Sequence, residues 1–188
     1  MTKIIELKTK RLRLRQWRQE DFPAFAMLNA DPEVMEFYPE RLNKEESNEM
    51  AKRFEALIVY RGWGFWVVEK LDEKAFMGFV GLHEPTYDLP VTPCVEIGWR
   101  LAKEYWGYGY ASEAANASLE VAFEELNLPE VYSFTSVLNK KSRTVMERLG
   151  MVDMKQNFEH PMIPEDSPLR EHVLYKIDKK NWETTLVS

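Results

Sequence analysis

A chain of 188 residues, 45% hydrophobic and 30% charged, has the size and make-up of an ordinary globular protein with a substantial core, and a single domain over residues 1–188 is expected. Its 25 basic and 31 acidic residues give a net charge of -6, which excludes nucleic acid and an anionic membrane as partners of the chain as a whole. Any anion it binds must therefore be held locally.

The opening MTKIIELKTKRLRLRQW alternates charged and apolar residues, and no run in the chain reaches membrane-spanning length, so a cytoplasmic protein without export signal or anchor is expected. The single cysteine, Cys94, excludes an internal disulfide, and His83, His160 and His172 lack zinc-site spacing, so no metal is expected. Leu12, Leu14 and Trp17 alternate with Arg11, Arg13 and Arg15, predicting a half-buried strand whose arginines face solvent. EDFPAFAMLNADPEVM reads as a short helix with Asp21 at its N-cap, Pro23 in its first turn and Asp31-Pro32 as its stop. Met50, Ala51, Phe54, Leu57 and Ile58 recur every three or four residues, predicting a helix from Lys44 to Tyr60 that Gly62 ends. GFWVVEK and AFMGFVGLHE are β-rich runs on either side of the turn-like LDEKA and read as paired strands.

After the proline-bearing loop EPTYDLPVTP comes the strand CVEIGWRL. Its alternation places Val95, Ile97, Trp99 and Leu101 on one face and Glu96, Gly98 and Arg100 on the other. Gly98 inside a strand signals a bulge or the close approach of another backbone or a ligand. Ala111, Ala114, Ala115, Leu119, Ala122, Phe123 and Leu126 form the apolar stripe of a helix that packs on the sheet. VYSFTSV is the next strand, NKKSRTVMERLG a helix with Asn139 at its N-cap and Gly150 at its end, HPMIPEDSP a loop, and REHVLYKI the final strand. A meander followed by alternating strands and helices predicts a mixed α/β (α+β) fold.

WGYGYASEA joins a strand to a helix, the setting in which backbone N–H groups and the positive helix end hold a phosphate. The same residues also suit a tight strand-to-helix turn with aromatic packing. They form neither a Walker loop nor a dinucleotide fingerprint. Taken in order, VEIGWRL, YWGYGYASEA and NKKSRTVMERLGM resemble the GNAT superfamily of acetyl-CoA-dependent N-acetyltransferases, and more narrowly the branch that includes ribosomal-protein N-terminal acetyltransferases. The resemblance runs from TKRLRLRQW to REHVLYKI, a core of about residues 8–178.

The resemblance implies a central twisted, mostly antiparallel sheet, splayed near Gly98 and flanked by helices, with acetyl-CoA as cosubstrate. Gly107 and Gly109, with the amides of Trp106, Tyr108, Tyr110 and Ala111, would hold the pyrophosphate, and the backbone at Ile97, Gly98 and Trp99 would meet the pantetheine arm. Asn139 would hydrogen-bond that arm and Ser142 would assist the thioester sulfur, although Asn is also a good helix cap and Ser is tolerated in a first turn. Glu104 stands where many members carry Gln or Arg, so no basic side chain is expected there.

Acetyl transfer needs a neutral amine, and a lysine amine has a pKa of about 10.4 against about 7.7 to 8.0 for an α-amino group. Glu96 is the first candidate base because it sits beside Gly98 on the strand, with Glu159 and His160 of FEHP as rivals and His172 as a core-edge histidine. Cys94 reads as a small apolar filler, so direct attack in a ternary complex is expected. The resemblance implies a primary amine as acceptor, either a protein or peptide N-terminus or a small molecule. Relatives often dimerise, which leaves a monomer and a homodimer both open. A domain of this fold that binds an acyl-CoA or a peptide without turnover is the alternative.

Overall fold

Apolar alternation in LRLR builds β2 (Leu12–Arg15), preceded by the two-residue strand β1 (Leu7–Lys8), in a computed structural model that describes residues 2–185. The chain gathers into two compact units, one of residues 2–36, 40–82 and 98–117, the other of residues 37–39, 83–97 and 118–185. The fold is mixed α/β, with a mostly antiparallel sheet flanked by helices.

In the first unit, β2 pairs antiparallel with β3 (Phe65–Lys70), and β3 with β4 (Ala75–His83), placing Arg13 opposite Glu69 and Val67 opposite Phe79. β5 (Glu96–Leu101) follows β4 in strand order, and its Gly98–Leu101 portion belongs to this unit. Two helices pack together here, α1 (Phe22–Ala30) and α2 (Lys44–Arg61). α2 begins with a reciprocal cap, since Asn43 Oδ1 accepts from Glu46 N at 2.9 Å while Asn43 N donates to Glu46 Oε2 at 2.8 Å. It ends at Gly62, as its sequence predicts. The core is largely aromatic: Trp17, Phe25, Phe54, Phe65 and Phe79 pack edge-on or tilted against one another at centroid distances from 4.8 to 6.4 Å.

The second unit is built on β6 (Glu130–Ser136) and β9 (Glu171–Asp178), antiparallel from Glu130 opposite Asp178 to Ser136 opposite His172. β7 (Val152–Asp153) and β8 (Phe158–Glu159) also pair with β9. These strands of two residues are too short to leave a periodic trace in the sequence. The helices are α4 (Lys140–Arg148) and α5 (Lys179–Thr185), with the last turns of α3 (Tyr110–Glu120). α3 runs into a wide π turn over Val121–Glu125, in which Leu126 N bonds to Val121 O at 2.9 Å. Among the described residues, no helix is long and apolar enough to cross a membrane.

The expectation that Arg11, Arg13 and Arg15 all face solvent fails at Arg15. Its guanidinium is buried and takes both Asp21 oxygens at 2.8 Å and Glu69 Oε2 at 2.7 Å. Glu69 lies diagonally across the β2–β3 pair, so two carboxylates converge where strand alternation alone predicts water. Arg100, for which alternation sets only a strand face, is likewise buried and donates to Asn29 Oδ1 at 2.6 Å. Burying ions costs solvation energy, but deleting one member of a buried set leaves the others uncompensated. Arg15→Ala is therefore expected to lower the unfolding free energy by about 3–5 kcal/mol. Arg13→Ala, which breaks a more exposed pair with Glu6, should cost about 1 kcal/mol or less. Urea denaturation of the two variants measures both.

Candidate active site

In the first unit, β5 gives way to a 3₁₀ turn at Lys103–Tyr105, and Trp106 Nε1 donates to Leu101 O at 2.8 Å. Trp106 thereby anchors the segment that follows. Gly107 and Gly109 then adopt φ of +82° and +78°, left-handed values that disfavour L side chains, and α3 starts at Tyr110. A Cβ built on Gly107 would meet nothing within 4 Å, so glycine is needed there for backbone conformation, with the surface left open. Tyr108 is exposed between the two glycines, while Tyr110 and Ala111 are half-buried at the helix start. An open turn of left-handed glycines leading into a helix N-terminus suits a phosphate group. Glu104 is exposed beside it.

The loop is held from the N-terminal strand by residues that sequence patterning does not single out. Arg11 Nε meets Glu113 Oε2 at 2.6 Å, Arg11 NH1 reaches Tyr108 O at 3.0 Å, and the guanidinium lies 4.3 Å from the centre of the Tyr110 ring. Gly98 and Trp99 are half-buried, and a Cβ on Gly98 would come within 3.2 Å of the Phe65 ring. The close approach expected at Gly98 is thus to an aromatic side chain.

In the second unit, β5 pairs in parallel with β6 at Glu96 opposite Tyr132. Tyr132 N donates to Val95 O at 3.0 Å, whereas the buried Ile97 carbonyl is reached by the Ser133 hydroxyl at 2.9 Å. Glu96 lies between these two contacts, half-buried, and desolvation pushes its carboxyl up to about 8. Tyr87 is also raised, first by burial and then by Glu96, and the Cys94 thiol is pushed up to about 11 by burial with a contribution from Glu96.

Asn139 caps α4: its Oδ1 accepts from Ser142 N at 3.1 Å, and its Nδ2 donates to Thr135 Oγ1 at 3.0 Å. Ser142 is half-buried in the first turn. His160 and His172 are both buried, with ring centroids 4.8 Å apart among Phe134 and Phe158, and the Tyr87 ring is 5.0 Å from His160. Burial, reinforced by His172, lowers His160 to about 4, and burial also lowers His172. Met162 N donates to His160 Nδ1 at 3.2 Å, so the neutral ring carries its proton on Nε2 and has no lone pair to spare. Glu159 is exposed and paired with Arg170 at 3.1 Å. Among the described residues, no group of three or more His, Cys, Asp or Glu side chains could hold a metal ion.

The site is therefore a mixed α/β scaffold that carries an open glycine turn at a helix N-terminus. A sequence model described as "Acetyltransferase (GNAT) domain" matches residues 11–152, and the chain belongs to the GNAT acetyltransferase family. It is 31% identical over 187 residues to "Uncharacterized N-acetyltransferase YnaD" of Bacillus subtilis, covering 95% of this chain and 99% of the other. It is also 31% identical over 183 residues to the "FsC-acetyl coenzyme A-N(2)-transacetylase" of Aspergillus fumigatus, covering 94% and 77%. Among solved structures, the acetyltransferase from Agrobacterium tumefaciens str. C58 is similar at 30% identity and a TM-score of 0.72, covering 95% and 97%. The chain is thus an N-acetyltransferase that uses acetyl-CoA.

The two titrating groups predict opposite slopes of stability against pH. Glu96 is raised from 4.5 to about 8, so the unfolded chain releases this proton first and stability falls as pH rises through that window. His160 is lowered from 6.5 to about 4, so stability is lost as pH falls through that window. Glu96→Gln should therefore gain on the parent between pH 4.5 and 8, by on the order of a few kcal/mol, and level off above pH 8. Urea unfolding at pH 5, 6.5 and 8.5 checks it; a constant difference would show that Glu96 ionises as freely in the folded protein as outside it.

Proposed function

We propose that this protein transfers the acetyl group of acetyl-CoA directly to a primary amine, with Glu96 receiving the amine proton and the loop Trp106–Ala111 receiving the pyrophosphate. The observation that carries this reading is the turn at Gly107 and Gly109, left-handed at both glycines and opening into the start of α3. Backbone N–H groups there meet an anion without a side chain in the way, and the helix dipole adds to the attraction. The relative named as an N(2)-transacetylase supports nitrogen as the acceptor atom.

Acetyl-CoA supplies a thioester carbonyl carbon open to attack and a sulfur that leaves as a thiolate. The backbone at Ile97, Gly98 and Trp99 pairs with the amide-bearing arm as an added strand would. Asn139 contributes to the same arm through its side-chain amide while remaining the cap of α4. The amine nitrogen bonds to the carbonyl carbon, the carbon–sulfur bond breaks, and the amine proton passes to Glu96. Ser142 Oγ donates to the sulfur as negative charge builds there. A carboxylate whose pKa is near 8 is well matched to an α-amino group of about 7.7 to 8.0, so the proton moves between groups of nearly equal affinity. His160 fits this role less well: its Nδ1 already accepts a backbone N–H, and its low pKa makes it a weak base. In this reading His160 and His172 shape the wall that carries Tyr87.

On this basis Glu96→Gln lowers kcat near neutral pH by about 10² or more and recovers partly at higher pH, where the amine loses its proton unaided. Glu159→Gln and His160→Ala keep the parent pH profile. If His160→Ala alone loses the acidic limb, the base is His160 and not Glu96. Gly107→Val weakens acetyl-CoA binding at least tenfold, about 1.4 kcal/mol, by forcing a β-branched residue into the left-handed region. With acetyl-CoA binding measured by titration calorimetry and kcat by thiol release, Ser142→Ala should lower kcat more than it weakens binding; equal losses would make Ser142 a helix-start residue only.

A further inference from the structure

We propose that Arg11 is a positioning residue for the cofactor loop, cancelling the charge of Glu113 so that the first turn of α3 remains open to a pyrophosphate. The inference rests on the assignment of that group to the loop. It begins from an apparent conflict of charge. Glu113 lies in the first turn of α3, where a carboxylate favours the helix dipole but repels a second anion arriving at the same end. Between Trp106 and Ser112 the chain offers no cationic side chain, and Glu104 upstream is acidic as well.

The side chains resolve the conflict in one constellation. Glu113 Oε1 accepts from the Thr9 hydroxyl at 2.6 Å and from Arg11 N at 2.9 Å, and Glu113 Oε2 accepts from Arg11 Nε at 2.6 Å. Thr9 is itself fixed, because its oxygen accepts from Leu12 N at 3.0 Å. Burial alone would raise the Glu113 carboxyl, but these bonds hold it below its ordinary value, so the group is ionised and matched by one guanidinium. The same guanidinium donates from NH1 to Tyr108 O at 3.0 Å, lies over the Tyr110 ring, and brings NH2 to 3.7 Å from where a Gly109 Cβ would be. In a trans peptide the carbonyl and the following N–H point in opposite directions. Turning the Tyr108 carbonyl toward Arg11 therefore turns the Gly109 N–H away from it, as an anion-receiving loop requires.

A clamp based on charge makes a prediction that a merely structural contact does not. Removing Arg11 alone exposes Glu113 to the pyrophosphate, whereas removing both charges does not. Acetyl-CoA affinity is to be measured by titration calorimetry at low and high salt for the parent, Arg11→Gln, Arg11→Lys and the double variant Arg11→Gln/Glu113→Gln. kcat/KM is to be measured with acetyl-pantetheine, a donor that lacks the pyrophosphate. At low salt Arg11→Gln should bind acetyl-CoA at least tenfold more weakly, and the deficit should shrink at high salt as the repulsion is screened. The double variant should recover most of the loss, and Arg11→Lys, which keeps the charge, should lose less than Arg11→Gln. Turnover with acetyl-pantetheine should be the same in the parent and Arg11→Gln.

A double variant no better than Arg11→Gln, or a parallel loss with acetyl-pantetheine, would overturn the proposal and leave Arg11 a purely structural contact. Unchanged affinity in Arg11→Gln beside weakened binding in Gly107→Val would sink the clamp alone. Unchanged affinity in Gly107→Val would sink the pyrophosphate assignment and the clamp with it.

Discussion

Where the chain enters β5, from Val95 to Ile97, the backbone changes its kind of hydrogen-bond partner within three residues, and the candidate base Glu96 sits at that change. A buried carbonyl must be paired, and Val95 O is met by a strand amide while Ile97 O is met by the hydroxyl of Ser133. A side-chain donor satisfies the carbonyl without prolonging the backbone ladder. Glu96 sits between the two, on a strand rather than a mobile loop, so its carboxylate is held in a surrounding that disfavours charge. A surface glutamate one turn away in a loop would gain no such shift.

Three acidic sites in this chain show three treatments of charge. Asp21 and Glu69 share one buried guanidinium, Arg15, which donates to both. Glu113 is matched one to one by Arg11 with a hydroxyl and an amide besides, and remains partly open to solvent. Among the described residues Glu96 has no guanidinium or ammonium partner, and burial drives it toward its neutral form. The first arrangement fixes a strand pair, the second shapes a turn, and the third leaves a carboxyl that titrates near pH 8. A net charge of -6 distinguishes none of these, because the difference lies in which partner is within 3 Å.

What the sequence reveals of all this follows the range of each interaction. The glycine turn, the Asn139 cap and the end of α2 at Gly62 are legible because their chemistry is complete within a few residues. Gly98 is legible as a close approach, although its neighbour is the Phe65 ring and not a backbone. Arg15 reads as exposed and Arg100 as merely alternating: Glu69 and Asn29 lie 54 and 71 residues away, and Asp21, though only six residues from Arg15, reads as a helix cap. Arg11 and Glu113 are 102 residues apart and give no local signal, even though each borders a segment that the sequence does mark. Position makes Glu96 a candidate, but its affinity for a proton follows from packing that no strand alternation encodes.

The wide turn at the end of α3 sets a rule about chain length. Val121, Ala122 and Phe123 are consecutive and all buried, yet at 3.6 residues per turn three successive side chains fan across some 200° of a helix. The widened backbone turns all three inward, and its carbonyls still find partners: Val121 O takes Leu126 N, Ala122 O takes Leu128 N, and Phe123 O takes the Lys179 ammonium at 3.2 Å. The widened turn thereby lets three consecutive residues share the core of the second unit, which a regular helix does not allow. A residue inserted within residues 118–120 would swing Val121, Ala122 and Phe123 by about 100° off the buried face unless the widened turn relaxed to an ordinary one.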